Sequence, residues 1–385
     1  MERKLKVFCV LLALILGVAT IFGCGSKSEE SDSSSESTEL LTTENEPGTH
    51  TVTDHAGNQV EVPNTVNTVA ICDIYPLPSI ISVFFDSAEK IVGMAPQSMA
   101  AAKTSILSEL YPEILNADTG FTDGTNVNME ELIALNPDVV FYNAGNKALG
   151  EEIGKAGLCG IAFSAGKWKY DALETLNQWI LTLSDVFQTE STRYEAVKEY
   201  GQKMKDFVDE RLKTVAEKKK VFFLFQYTAE NLLSAGNPSF GSYWAEAIGA
   251  DFVVTETTEK NSLPTTMEQI YTWDPDVVFI TNFTTAKAGD LANNTIGSYD
   301  WSGVRAVKEG NVYKMPLGMY RTYTSGADSP MALLWLAKAC YPEIFDDLEM
   351  VTEVQSYYRD VFGIELTDEQ TASIFNPPAE AGIMK

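Results

Sequence analysis

One pattern of polar, apolar and β-branched positions occurs twice along the chain. Residues 129–141 recur as residues 267–279, and seven of the thirteen positions are identical. The copies are Met-Glu-Glu-Leu-Ile-Ala-Leu-Asn-Pro-Asp-Val-Val-Phe and Met-Glu-Gln-Ile-Tyr-Thr-Trp-Asp-Pro-Asp-Val-Val-Phe. In each copy a proline ends a helical spacing, because proline cannot continue a helix, and an apolar run typical of a buried strand follows. The duplication predicts two similar α/β lobes.

Strand and helix patterns alternate through both halves of the chain. Apolar runs predict strands near 69–72, 91–95, 138–142, 160–165, 220–227, 251–254, 276–280 and 311–315. Helical spacings lie near 76–87, 98–108, 128–135, 146–157, 239–249, 266–273, 301–308, 327–341 and 346–361. Since right-handed crossovers connect strands in such alternations, we expect mostly parallel sheets.

A long amphipathic segment separates the two halves. Residues 189–218 carry apolar side chains at three- and four-residue steps, interrupted only by Gly201, and this predicts one rigid helix of ~45 Å. The absence of a Gly/Ser hinge argues against large closing motions. The predicted fold is therefore α/β, with an N-terminal lobe at 50–188, an interlobe helix at 189–218 and a C-terminal lobe at 219–385.

The first residues have the pattern of an export signal. Basic residues precede an apolar run at 7–22, which is short for a membrane span. Residues 21–24, Ile-Phe-Gly-Cys, resemble the bacterial lipobox, which implies a signal peptide at 1–23 and lipidation of Cys24. Residues 24–49 are rich in Ser and Glu and predict a disordered tether. We expect an anchor on the outer face of the cytoplasmic membrane; the alternative is an uncleaved anchor with an incidental Cys.

The amino-acid composition disfavours several classes of function. The 385 residues include 54 acidic and 28 basic side chains, and the net charge of −26 opposes binding to nucleic acid. Only two histidines occur, His50 and His55, which disfavours a metal site built from several histidines and catalysis by a histidine general base. Cys72, Cys159 and Cys340 are an odd number in apolar surroundings, which predicts free thiols rather than disulfides.

Several segments, taken in order, resemble the substrate-binding proteins of ABC importers for iron-siderophores, haem or cobalamin. They are the hairpin pattern at 52–63, the two copies described above, the segment 301–316, and Ser329-Pro330 leading into 333–337. The resemblance extends over about 50–375. It implies a class III periplasmic binding protein with its ligand cleft between the lobes, no catalytic residues and no cofactor. It also implies a monomer that delivers a small-molecule metal complex to a permease dimer with ATPase subunits.

Residues that follow the predicted strands are the candidates for the cleft, because open α/β sheets bind ligands at the carboxyl ends of their strands. These residues include Asp73, Gln97, Asn146 and the loop 317–324. The predicted ligand-binding residues are Tyr75, Tyr142, Asn143, Trp168, Tyr227, Asn282, Tyr320, Arg321 and Tyr323.

Arg321 lies among aromatic residues in its loop. Arginine binds carboxylates or stacks on planar π systems, and tyrosine offers a flat face with a polar tip. This lining suits an anionic or macrocyclic metal chelate: an iron-siderophore first, then haem or cobalamin, with a nickel chelate as an alternative. The competing interpretation is a solvated loop with Arg321 paired to a surface acid. No residue is predicted to ligate a bare metal, although Tyr75, Met319, Tyr320 or Tyr323 could ligate haem iron.

Glu130 and Glu268 occupy equivalent positions in the two copies. The resemblance implies that they dock arginines of the permease, one per lobe, and the alternative is stabilisation of a helix N-terminus. A secreted hydrolase is disfavoured because no Gly-x-Ser-x-Gly segment occurs and a Ser-His-Asp triad would have to recruit His50 or His55. A role as a surface adhesin is a further alternative, but it does not explain why the lobes are duplicated.

Overall fold

The computed structural model describes residues 48–86, 88–258 and 262–384. The predicted signal peptide, Cys24 and nearly all of the predicted tether lie outside the described residues. In the part of the chain that is described, no helix is both long enough and apolar enough to cross a membrane.

Twelve strands and fourteen α-helices are described. The strands are β1 Thr49–Thr53, β2 Gln59–Pro63, β3 Val69–Ile71, β4 Ile91–Met94, β5 Val139–Asn143, β6 Gly160–Phe163, β7 Lys220–Tyr227, β8 Leu232–Ala235, β9 Asp251–Phe252, β10 Ser262–Pro264, β11 Val277–Ile280 and β12 Val312–Lys314. The helices are α1 Leu77–Phe85, α2 Pro96–Thr104, α3 Leu107–Leu110, α4 Met129–Ala134, α5 Lys147–Lys155, α6 Ala172–Phe187, α7 Tyr194–Leu212, α8 Phe240–Ala247, α9 Met267–Trp273, α10 Ala288–Ala292, α11 Arg305–Glu309, α12 Ser329–Cys340, α13 Met350–Tyr357 and α14 Asp368–Phe375.

Each lobe contains one main sheet covered by helices, and the first lobe also contains the two-stranded sheet β1–β2. In the first lobe the strand order is β4-β3-β5-β6, and every pairing is parallel. In the second lobe the order is β10-β8-β7-β11-β12, with β9 beside β7. Strands β7, β9, β11 and β12 are parallel, whereas β8 and β10 are antiparallel additions that the sequence analysis did not predict. The predicted α/β architecture of two lobes with mostly parallel sheets is confirmed.

The duplicated segment forms the same unit in both lobes. Asn136, just after α4, and Asp274, just after α9, have left-handed backbone conformations (φ 48° and 42°), and a proline follows each. The repeated acids Asp138 and Asp276 then bind the neighbouring strand: the Asp138 carboxylate accepts the Thr68 N–H at 2.9 Å, and the Asp276 carboxylate accepts the Lys220 N–H at 2.8 Å. The identical residues therefore specify how a helix turns into a paired strand.

Helix α7 lies against both lobes but is shorter than the predicted 189–218. At its amino end Arg193 pairs with Asp86 of the first lobe at 2.7 Å. At its carboxyl end Arg211 donates to Asp347 of the second lobe at 2.8 Å. Helix α6, which the sequence analysis did not predict, packs beside it. At ~1.5 Å per residue, the 19 residues of α7 extend ~28 Å.

The antiparallel hairpin β1–β2 is held on α6 by both histidines. His50 Nε2 donates to the Asp185 carbonyl at 2.8 Å. His55 Nε2 donates to Thr182 Oγ1 at 2.8 Å, and His55 Nδ1 accepts the Ser164 N–H at 3.1 Å. The imidazoles are therefore used in packing of the first lobe.

Candidate ligand cleft

The loops at the carboxyl ends of the two sheets face each other. Ser105 of the first lobe donates through Oγ to the Met319 carbonyl of the second lobe at 3.4 Å. Nearby, the rings of Tyr170 and Phe240 meet edge-on across the lobes, with centroids 5.4 Å apart. The interlobe cleft therefore lies at the edge that the parallel strands predict.

Aromatic side chains of the second lobe pack against one another near this contact between the lobes and form the candidate wall of the cleft. Phe225 near the end of β7 lies 5.0 Å from Phe283, which follows β11, and 5.5 Å from Tyr323 in centroid distance. Tyr323 Oη accepts the Gly241 N–H at 3.0 Å, which fixes the orientation of its ring. Phe225 and Phe283 were not predicted as site residues, although their positions at strand ends carry the same signal as the residues that were.

Arg321 lies within this aromatic wall and is only 1% exposed. Its guanidinium carbon is 4.9 Å from the centroid of Phe283, and Nη1 donates to Tyr320 Oη at 3.0 Å. The other donors bind the Ala381 carbonyl at 2.8 and 3.1 Å and the Ile383 carbonyl at 3.4 Å. Among the ion pairs of the described residues, none includes Arg321. A buried cation with only neutral partners favours an anion as its ligand.

Lys314 lies close enough to Arg321 for their charges to interact, and its amine binds the loop that follows β11. Its Nζ donates to the Thr281 carbonyl at 2.8 Å and the Thr284 carbonyl at 2.6 Å. Burial, and then the charge of Arg321, lower the pKa of Lys314 to about 7. Lys314 is not among the site residues predicted from the sequence, although a lysine at the end of a buried strand is a signal for such a residue.

A buried carboxylate shapes the loop that carries Arg321. Asp328 Oδ2 accepts the Met319 N–H at 2.7 Å, and Oδ1 accepts the Tyr358 hydroxyl. Gly318 has φ +60°, and a Cβ there would lie 2.4 Å from the Asp328 carboxyl group. Burial raises the pKa of Asp328 to about 6. The loop conformation thus depends on a glycine and an acid that the ligand need not touch.

The first-lobe wall is built by Tyr75 and Gln97. Tyr75 Oη donates to the Gly124 carbonyl at 2.7 Å, and burial raises its pKa to about 12. Tyr320 and Arg321 lie close enough to influence the same pKa, the first raising it and the second lowering it. Gln97 Nε2 donates to the Asp123 carbonyl at 2.9 Å. The structure therefore brings Tyr75 towards Tyr320 and Arg321 across the cleft.

Polar side chains after β3 and β5 bind one another. Asp73 accepts the Asn143 N–H at 2.6 Å and the Asn146 side-chain amide at 3.0 Å. The rings of Trp168 and His55 lie nearly perpendicular to each other, with centroids 4.8 Å apart.

Three other predicted residues have partners inside the lobes. Tyr142 packs in the interior of the first lobe. Tyr227 Oη accepts the Trp301 indole N–H and donates to the Ile296 carbonyl, both at 3.0 Å. Asn282 donates to the carbonyls of Met315 and Pro316, and its buried Oδ1 has no partner. Their roles in ligand binding stay predictions.

Glu130 and Glu268 are exposed in the first turns of α4 and α9. Each helix runs directly into a parallel strand and packs back along its sheet, so its first turn lies at the same edge as the cleft. Three residues later, at equivalent positions of the repeat, Ile133 and Tyr271 are 46% and 41% exposed. Each lobe therefore presents an acid beside a large apolar side chain on one helix face.

The described residues contain no group of three or more His, Cys, Asp or Glu side chains arranged to hold a metal ion. The three described cysteines, Cys72, Cys159 and Cys340, are free, as predicted; Cys72 and Cys340 are buried and Cys159 is half-buried. Burial raises the pKa of the Cys340 thiol to about 12, which makes it a poor nucleophile.

Comparison with known proteins agrees with this architecture. Residues 80–317, more than half of the chain, match the family model described as periplasmic binding protein. The molybdate-binding protein MolA of Haemophilus influenzae is 27% identical over 335 residues, covering 81% of this chain and 90% of that protein. An uncharacterized ABC transporter substrate-binding lipoprotein of Bacillus subtilis, YvrC, is 22% identical over 341 residues, covering 87% and 97%.

A crystal structure of a periplasmic solute binding protein from Veillonella parvula superposes with a TM-score of 0.72 at 27% identity, covering 86% of this chain and 97% of that one. Together with the two α/β lobes and the cleft at the carboxyl ends of their strands, these matches confirm the resemblance found in the sequence. The chain belongs to the periplasmic binding protein family and is a substrate-binding protein of an ABC importer.

Proposed function

We propose that this receptor captures an anionic metal chelate, with an iron-siderophore as the first candidate, and delivers it to its permease. The observation that carries the proposal is Arg321, a buried cation bound only by neutral groups in a wall of aromatic faces. An anionic oxygen would supply the charge that carbonyls lack, since charge-assisted hydrogen bonds are roughly twice as strong as neutral ones. Phe225, Phe283 and Tyr323 would pack on the flat organic part of a chelate.

A chelate also fits the metal chemistry of the cleft. Both histidines are used to hold the hairpin on α6, so imidazole ligands are not offered to a bare metal ion there. A metal already enclosed by an organic ligand needs only recognition of that ligand. Haem, cobalamin and a nickel chelate meet the same requirement.

A small oxyanion is the second candidate. Arg321 is charged, and Lys314, with a pKa of about 7, would be held in its charged form by a bound anion; such a pair suits a compact divalent anion. The relative MolA is named for binding molybdate. Binding of an oxyanion would depend on Arg321 and Lys314 and little on the aromatic wall. Binding of a chelate would depend on the charged groups and on the aromatic wall.

Titration of the purified protein tests these candidates. The probes are a ferric tris-catecholate, haemin, cyanocobalamin, nickel-histidine and molybdate, each followed by calorimetry and by the shift of Tm. We expect the ferric chelate to bind, and Phe283→Ala to weaken it. Binding of molybdate alone, unaffected by Phe283→Ala, would replace the chelate by the oxyanion. Failure of every anionic probe, or a turnover activity, would contradict the proposal.

Delivery would use the equivalent acids of the two lobes. Glu130 and Glu268 can pair with arginines of a permease dimer, one per subunit, and such pairs speed encounter and set orientation. Ile133 and Tyr271 lie next to them and can be desolvated on contact, which adds apolar area to each patch. Lipidation at Cys24 would keep the receptor on the outer face of the membrane, near its permease.

A further inference from the structure

The segment 379–384 lies in the cleft and bonds to both lobes. From the first lobe, Gln97 Nε2 donates to the Met384 carbonyl at 2.9 Å. From the second lobe, Arg321 donates to the carbonyls of Ala381 and Ile383. The turn Ala379–Gly382 also packs against helix α2 of the first lobe. A short segment distant in sequence thus occupies the donors of the proposed ligand-binding arginine.

Close packing holds this segment in position. Ala381 is fully buried, while Ile383 next to it is 43% exposed. A Cβ on Gly382 would lie 2.1 Å from the carbonyl carbon and oxygen of Thr284, so no side chain fits at this position. Thr284 is the residue whose carbonyl binds Lys314. Gly382 therefore lets the segment pack directly on the loop that follows β11.

We propose that segment 379–384 is an internal mimic of the ligand: its carbonyl oxygens occupy Arg321 until anionic oxygens of the ligand displace them. The inference rests on the proposed role of Arg321 in ligand binding. Carbonyl oxygens carry only partial charge, so an anion competes with them effectively and a neutral compound does not. The segment would thereby restrict the cleft to anionic ligands. The apparent Kd of the ligand would equal its intrinsic Kd divided by the fraction of molecules in which the segment is displaced.

A single added methyl group tests the inference in the full chain. Gly382→Ala places Cβ against the Thr284 backbone without altering Arg321, and Gly154→Ala is the matched control because a Cβ there meets nothing within 4 Å. We expect Gly382→Ala to bind the ferric tris-catecholate about tenfold more tightly, as when a segment bound in about nine molecules of ten is released. Unchanged or weaker binding, with the segment released, would overturn the inference.

Hydrogen exchange reports the position of the segment directly. The Ala381 and Ile383 N–H groups bind the carbonyls of Pro378 and Glu380. These amides should exchange faster in Gly382→Ala, and also in the wild-type protein when the chelate saturates it. Protection of these amides by the chelate would mean that the segment closes over the ligand, which contradicts displacement. Exchange at the wild-type rate in Gly382→Ala and Gly382→Leu would show that the packing described above is absent.

A peptide separates this inference from the proposed function. A synthetic peptide of residues 377–384 should bind the Gly382→Ala protein, and Arg321→Ala in that protein should abolish the binding. If no metal chelate or oxyanion binds any form but the peptide binds in this way, the proposed function fails and the occupancy of Arg321 by the segment stands. If the peptide does not bind, or binds regardless of Arg321, the inference fails on its own.

Discussion

At the residue scale, Arg321 carries a charge in a region where water cannot stabilise it. Carbonyl dipoles and the face of Phe283 offset part of the desolvation cost, and no acid of the described residues pairs with the guanidinium. Apolar replacement of buried charged groups is often neutral for stability, although the carbonyls of Ala381 and Ile383 would lose a donor. This environment is what the proposed role of Arg321 in ligand binding requires.

Arg321→Met should separate these two roles. Binding of the ferric tris-catecholate should weaken roughly tenfold to a hundredfold, because a charge-assisted contact contributes about 1.5–3 kcal/mol. The free energy of unfolding should change by less than about 2 kcal/mol. Calorimetry and urea denaturation measure the two effects, with the exposed Arg359→Met as control. Unchanged affinity would remove Arg321 from the site.

Gly124 shows how a glycine maintains the first-lobe wall. Its φ is +91°, and a Cβ would lie 2.2–2.5 Å from the Gln97 amide, whereas Gly57, with φ +89°, has nothing within 4 Å. Gly57→Ala should cost about 1 kcal/mol of unfolding free energy, through backbone strain alone. Gly124→Ala should cost more and displace Gln97. Equal losses in urea denaturation would show that the contact with Gln97 is unimportant.

At the element scale, the hairpin β1–β2 depends on a neutral imidazole. Burial, and then the charge of Lys167, lower the pKa of His55 to about 4. The folded protein therefore disfavours the imidazolium form, while the unfolded chain binds a proton near the ordinary pKa of 6.5. The stability from this residue is complete above pH 6.5 and is lost as the pH falls towards 4.

His55→Gln should reduce the dependence of stability on pH. Over that interval the wild-type protein should lose up to about 3 kcal/mol through His55. Carboxylates titrate in the same range in both proteins, so the difference between variant and wild type isolates the histidine. Urea denaturation at pH 7.0, 5.5 and 4.5 measures it. Parallel curves for the two proteins would contradict the role assigned to His55.

At the scale of the whole molecule, two lobes related by an internal repeat should meet a permease of two subunits. Replacing Glu130 and Glu268 together by Ala should leave chelate affinity near wild type while uptake in cells falls sharply, because neither acid lies on the cleft wall. Replacing Ile133 and Tyr271 by Ala should lower uptake less. Glu152 and Glu309, exposed acids of the same two lobes, provide the control pair. Normal uptake by the Glu130/Glu268 double variant would leave them as helix-end stabilisers.

Attachment to the membrane through Cys24 is a prediction from the sequence that concerns the whole molecule. Cys24→Ala should release the protein from membranes or leave an unprocessed precursor. The variant lacks the cysteine whose two acyl chains would anchor the protein stably. Cell fractionation and gel migration measure both outcomes. Wild-type behaviour of the variant would contradict the lipoprotein prediction.

The sequence by itself determined the features that local pattern encodes. The helix–strand unit is specified in both copies by a proline after a helical spacing and by Asp138 or Asp276 before a β-branched run. Its duplication therefore predicted the two lobes. Tyr75 and the loop of Arg321 were predicted as cleft residues because they follow strands, and the residues that follow parallel strands lie at one edge of the sheet. Helix α6 was missed although Leu176, Ile180 and Leu183 have helical spacing.

Only the tertiary structure decided which strand-end residues share the cleft. Strands β5 and β7 are buried on both faces, so their pattern does not distinguish the face of Tyr142 and Tyr227 from the face of the main core. Segment 379–384 reaches Gln97 and Arg321 through backbone carbonyls, which every sequence contains. Contacts of this kind depend on the relative positions of distant elements, and no local spacing of side chains encodes them.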